Sequence, residues 1–263
     1  MPVNVDISEN IAWVTIDQPP VNALGSAISR ELTQVFRDLG AGKDAHVIVL
    51  RSSGEKIFSA GADIKESERR YTLKESSPDE TAYDLIDPGT TPRNLFMAAF
   101  DCPLPIISSV QGTCLGAGLA LVACTDIVIA SERATFGLPE MGVGVLGGGR
   151  FLQRLVGVPK MRRMFFTSET VTADEMYRIG ALDSVVPHEQ LEEKTRELAL
   201  KIASKSPIGL RLGKISINRA EHLSIADGYR IEQDYTGKVS TYKDSAEARN
   251  AWREKRAPEW TWS

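Results

Sequence analysis

Three short stretches of this chain carry residue types that can do chemistry. Phe136-Gly137-Leu138-Pro139-Glu140 sets a single carboxylate in an apolar, proline-stiffened segment. Once buried, such a carboxyl has a raised pKa and suits general acid–base work; left in solvent, it is a turn glutamate. Phe58-Ser59-Ala60-Gly61-Ala62-Asp63-Ile64-Lys65 offers small residues that let a ligand reach the backbone. A turn there can aim free N–H groups outward, although a structural turn ahead of a helix has the same composition. Gly112-Thr113-Cys114-Leu115-Gly116-Ala117-Gly118 joins a β-rich run to an apolar helical one. N–H groups at such a helix start favour an anionic oxygen, and close helix packing would explain the same glycines.

Other chemistries are poorly supported. Gly142-Val143-Gly144-Val145-Leu146-Gly147 formally matches a dinucleotide fingerprint, but no convincing strand precedes it and no βαβ unit is centred on it. No nucleophile-elbow, Walker or zinc signature occurs, and His46, His188 and His222 are scattered, so no metal is expected. Cys102, Cys114 and Cys124 lie in apolar surroundings without pairing or metal-like spacing, which predicts reduced, buried thiols. A net charge of −4 gives no reason to expect a nucleic-acid partner. No run approaches a membrane span, and the N-terminus lacks a basic region followed by an apolar one; a cytoplasmic protein is expected.

The elements that must position these stretches can be read from periodicity. With 263 residues, the chain is long enough for a substantial core. Residues 3–8 and 11–16 read as two strands joined by a Glu9-Asn10 turn. Ser26 is placed to cap a helix through about Leu39, with Ile28, Leu32, Val35 and Leu39 at helical spacing. Val47-Ile48-Val49-Leu50 has the pattern of a strand buried on both faces, and a strand–helix–strand order favours a partly parallel α/β arrangement. Residues 66–91 read as a polar, irregular connection, either a lid near a site or a solvated surface insertion. A helix over 93–100, a strand over 106–110, a helix over 119–124 and a strand over 127–130 follow. Helices are predicted near 159–167 and 172–180, the latter with a Thr172/Glu175 capping box. Beyond Pro187 the pattern is almost entirely helical, with helices over 189–205, 207–220, 223–238 and 245–255. Tyr71, Tyr83 and Tyr235 read as ordinary packing, and Trp252 and Trp260 as helix-packing or subunit contacts.

In order, these pieces resemble the crotonase (enoyl-CoA hydratase/isomerase) family. The points of resemblance are Gln18 to Leu24, Ser59 to Lys65, Gly112 to Gly118, Asp126, Phe136 to Glu140, Gly147-Gly148-Gly149, Gln153-Arg154-Leu155, Thr172 to Glu175, Asp244 to Glu247 and Glu254 to Arg256. The resemblance implies an α/β spiral of ββα units over residues 1–200. It also implies a helical region over 201–263 that builds homotrimers, often paired into hexamers. It implies an acyl-CoA thioester substrate, with coenzyme A part of the substrate and no separate cofactor. By position, the backbone N–H groups of Ala62 and Ala117 form an oxyanion hole, Glu140 is the acid/base, and Ala60, Ala62, Asp63, Ile64, Lys65 and Ala117 line the CoA path. Two donors aimed at a developing enolate oxygen stabilise it more than the neutral carbonyl, each by about 3 kcal/mol.

One departure bears on the reaction. Family hydratases hold one water between two glutamates, and the first of these falls here on Ala120. Gly148 likewise takes the position of the extra acid of dienoyl-CoA isomerases. A single carboxylate suffices to shuttle a proton between carbons. The expectation is therefore enoyl-CoA isomerisation, or hydration with an unusual water site, to which Glu66 or Glu68 could contribute. The alternatives are other enolate chemistry, such as decarboxylation, hydrolysis or hydratase-lyase turnover, and an acyl-CoA-binding protein with little catalysis.

Overall fold

A computed structural model describes residues 2–69 and 81–263. The first unit is strands β1 (Val3–Ser8) and β2 (Ile11–Ile16) with helix α1 (Ser26–Ala41). The second is β3 (Val47–Ser52) and β4 (Ile57–Ser59), followed by helices α2 (Ile64–Glu68), α3 (Ala82–Ile86) and α4 (Thr90–Asp101). The third is β5 (Ile106–Val110), β6 (Thr113–Leu115) and α5 (Ala117–Val122). The fourth is β7 (Ile127–Ser131), β8 (Thr135–Gly137), a 3-10 turn at Pro139–Val143 and α6 (Gly149–Thr167). Strand β9 (Thr170–Thr172), α7 (Ala173–Arg178) and β10 (Ser184–Val186) come next. Helices α8 (Leu191–Ala203), α9 (Pro207–Ala220), α10 (Ile225–Ser240) and α11 (Lys243–Glu254) complete the chain.

The strands form a six-stranded sheet ordered β1-β2-β3-β5-β7-β10 and a four-stranded sheet ordered β4-β6-β8-β9. From the second unit onward, each ββ pair gives one strand to each sheet, which is the spiral of ββα units that the resemblance implies. Within the large sheet all pairs are parallel except β1 with β2. The continuous apolar run of β3 is explained by its two covered faces. Ile48 and Leu50 join Ile28, Leu32 and Phe36 of α1 in the main core, while Val47 and Val49 pack with Leu191, Ala199 and Ala203 of α8. Among the described residues no helix is long and apolar enough to cross a membrane. All three cysteines are free and buried.

Several local expectations need correction. The helix expected over 119–124 begins at Ala117, because Gly116 turns the chain with φ 53° directly after β6. The expected capping box at Thr172 is half formed. Thr172 accepts from Glu175 N, but the Glu175 carboxylate is drawn away by Arg178 and Lys160. The connection over 66–91 is partly helical: α3 is closed by a reciprocal Thr81/Asp84 box, and α4 starts at Thr90. Tyr71 and the centre of that connection lie outside the described residues. Trp252 is 81% exposed, so it does not pack within its own chain.

Candidate active site

The small sheet carries the chemistry. Strands β4, β6 and β8 are neighbours and mutually parallel, and each ends within one of the three stretches named above. β4 runs into Ala60-Gly61-Ala62, β6 into Gly116-Ala117, and β8 into Leu138-Pro139-Glu140. Parallel strands in step lie about 4.8 Å apart, so their outgoing loops open on one edge.

The first loop is tied down from beneath. Asn22, buried and at φ 50°, donates to the carbonyls of Ser53 and Ile57 at 3.0 and 3.1 Å and accepts from Gln18 N at 2.9 Å. The Ser59 hydroxyl donates to the Asn22 carbonyl at 2.7 Å and accepts from Gly61 N at 3.2 Å. Ala60 N is spent on the Val21 carbonyl at 3.0 Å. The next amide, Ala62 N, makes no hydrogen bond to any described residue.

The second loop packs directly on the first. A Cβ built on Gly61 would stand 3.4 Å from Ala117 N and 3.1 Å from the Leu115 carbonyl, so only a glycine at φ 100° fits between the two turns. Ala117 is the first residue of α5, where an amide has no acceptor within the helix. Two unused N–H groups, Ala62 and Ala117, therefore sit on adjoining turns, and such a pair can take up an oxygen that gains negative charge. Gly118 lets α5 approach β4: a Cβ there would lie 2.6 Å from Ser59 Cβ.

Glu140 completes the arrangement from the 3-10 turn after β8. Its carboxylate reaches back over Gly116, and its Oε2 atom is buried without a hydrogen-bond partner among the described residues. Burial pushes its carboxyl above the usual carboxylate range, against a smaller opposing pull from its own backbone N–H. This is the buried form of the two alternatives that the sequence left open for this residue.

These groups line a cleft of about 340 Å³. Ala62, Asp63, Ala117, Ala120 and Glu140 all face it. Ala60, Ile64 and Lys65 do not; Ile64 is 67% exposed and Lys65 is exposed as well. Asp63 accepts from Glu66 N as the N-cap of α2. Of the two glutamates considered as substitute acids, Glu66 reaches the cleft, but both its oxygens are engaged by the Ser26 amide and hydroxyl at the start of α1. Glu68 is exposed and lies off the cleft. The rest of the wall was not singled out from sequence. It comprises Leu24, Ser26 and Ser29 around α1, Thr91, Leu95 and Phe96 on α4, and the Val145–Gly148 loop. Residues 145–147 of the glycine-rich 142–147 run are thus cleft wall. Gly148 adopts φ 73°, and a Cβ there would lie 3.5 Å from Ala120 Cβ, so the two positions to which the resemblance assigns acids adjoin.

The comparisons with known proteins agree with this geometry. Residues 6–262 match the family model described as enoyl-CoA hydratase/isomerase. A protein of Rhodococcus jostii named (7aS)-7a-methyl-1,5-dioxo-2,3,5,6,7,7a-hexahydro-1H-indene-carboxyl-CoA hydrolase is 36% identical over 92% of this chain and 90% of its own. The short-chain-enoyl-CoA hydratase of Clostridium acetobutylicum is 33% identical over 94% of this chain and 92% of its own. The crystal structure of an enoyl-CoA hydratase from Bacillus anthracis superposes with a TM-score of 0.89, at 29% identity, over 99% of both chains. With a match over nearly its whole length and a fold to the same plan, this chain belongs to the enoyl-CoA hydratase/isomerase, or crotonase, family of CoA-thioester-processing proteins.

Proposed function

We propose that the protein stabilises the enolate of an enoyl-CoA thioester between Ala62 N and Ala117 N and moves a proton with Glu140 as its sole acid/base. The observation that carries this reading is the pairing of a buried, unpartnered Glu140 oxygen with Ala120 on the same cleft wall. With one carboxylate in reach, double-bond isomerisation is the reaction best served. Glu140 takes a proton from C2 of a 3-enoyl thioester and returns it at C4, and the enolate oxygen is held meanwhile by the two amides. Hydration needs a second group on the water, and Glu66 is already occupied by Ser26.

The test is an absorbance assay at the enoyl-thioester band with 3-hexenoyl-CoA and crotonyl-CoA offered separately. A rise with the first and no loss with the second is expected, and Glu140→Gln should abolish the rise. Loss of the band with crotonyl-CoA would instead show hydration. A second reading is hydrolysis of a CoA thioester bearing a dioxo ring. The name of the 36%-identical Rhodococcus relative favours it, and turnover of such a thioester with silence on both enoyl-CoAs would establish it.

The helices over 201–263 serve, on this reading, as the oligomerisation region. Ile217, Ile225 and Trp252 are 64%, 93% and 81% exposed there, more apolar surface than a lone chain needs to show. Light scattering on the eluted protein should give the mass of a trimer or hexamer.

A further inference from the structure

Besides Glu140, the cleft holds one polar side chain with no hydrogen-bond partner among the described residues. Ser29 is 4% exposed and lines the cleft from α1. Its hydroxyl makes no hydrogen bond to any described residue. The usual outlet for a helical serine is the carbonyl four residues earlier. Thr33, one turn on, uses that outlet by donating to the Ser29 carbonyl at 2.6 Å, but the Ser29 hydroxyl makes no such bond. Apart from Glu140, the other polar side chains lining the cleft are committed: Ser26 to Glu66, Asp63 to Glu66 N, and Thr91 to Asp84 at 2.6 Å. Around it stand Leu24, Leu95 and Phe96. A lone, nearly buried hydroxyl in an apolar cleft is costly when empty and discriminating when filled, because a ligand oxygen there gains what an alkyl group cannot.

The geometry points to Ser29 as a specificity-determining residue that reads an oxygen substituent, keto or hydroxyl, on the acyl portion of the substrate. This rests on the reading of the cleft as a CoA-thioester site. The substrate class it defines is an acyl-CoA whose acyl group is largely apolar but carries an oxygen in addition to the thioester carbonyl. The thioester oxygen itself is the one assigned above to Ala62 N and Ala117 N.

Calorimetric titration with unreactive probes tests this without requiring turnover. The probes are cyclohexanecarboxyl-CoA and its 3-oxo and 4-oxo derivatives, each titrated into the wild type and Ser29→Ala. One of the oxo probes should bind the wild type about tenfold more tightly than the parent, the contribution of one neutral hydrogen bond. In Ser29→Ala that preference should vanish while the parent probe binds as before. Equal binding of all three probes to the wild type would overturn the inference, and so would a preference that survives in Ser29→Ala. Either result would leave the proposed function standing. Failure of every probe to bind the wild type would remove the CoA-site reading itself, and this inference with it.

Discussion

The Glu140 carboxylate lies over the α-carbon of Gly116: a Cβ on Gly116 would stand 2.9 Å from Glu140 Oε1. The acid is thus seated on the turn that presents the Ala117 amide. The group proposed to move the proton and one proposed to hold the oxygen share a single backbone support, supplied by the turns after β6 and β8.

Glu140→Gln keeps the shape of this contact and removes the proton acceptor. Turnover should fall by about 10²- to 10⁴-fold, while affinity for a saturated acyl-CoA stays within a factor of two or so. The wild-type rate should be lost as pH falls through a value above the ordinary glutamate range, because burial raises this carboxyl. A pH–rate profile and a binding titration check both statements.

The same substitution should raise stability at neutral pH. A carboxyl whose folded pKa lies above its unfolded one contributes stability in acid, where it is protonated, and loses that contribution as pH rises through the folded value. Glutamine never ionises and so avoids that loss. Glu140→Gln is expected to melt roughly 1–4 °C above the wild type at pH 7, with the gap closing toward pH 4. Differential scanning calorimetry at the two pH values measures it.

Ala117→Pro isolates a backbone donor. A helix tolerates proline at its first position, where the missing N–H has no acceptor within the helix. The variant should fold with a melting temperature near that of the wild type and lose about 10²- to 10³-fold in turnover. A fully active variant would place the oxygen elsewhere.

Ala120→Glu restores a second carboxylate to the cleft that already holds Glu140. Two such groups in proximity raise the pKa of one of them, the condition for holding and protonating around a water. The variant should gain crotonyl-CoA hydration over the wild type, read as loss of the enoyl-thioester absorbance.

Gly118→Ala tests the packing that brings α5 onto β4. Its new methyl would meet Ser59 Cβ at 2.6 Å and Ser59 Oγ at 2.8 Å. A cost of about 1–3 kcal/mol is expected, visible as a lowered thermal midpoint.

The three chemical stretches were legible because their signals are local: glycines where chains approach closely, and a proline stiffening the segment that carries the acid. The long strands and α1 were legible from periodicity. Strands β4, β6, β8 and β9 were not, because three residues are too few to show a period. The cleft wall on α4 was hidden for a different reason. Leu95 and Phe96 are apolar residues on a helix, and sequence alone does not distinguish a side chain facing a core from one facing a substrate. Ser29 was hidden likewise, since what singles it out is the absence of a partner, a property that only packing reveals.

The three-residue strands of the small sheet also separate two kinds of change. The residues proposed to hold the enolate and move the proton follow β4, β6 and β8, whereas Ser29, Leu95 and Phe96 belong to helices α1 and α4, outside that sheet. Substitutions on the helices can therefore retune which acyl group is admitted without moving the donors or the acid. A lineage built this way can drift between substrates while its core reaction step is inherited unchanged, which fits a family whose members carry hydratase and hydrolase names on one scaffold.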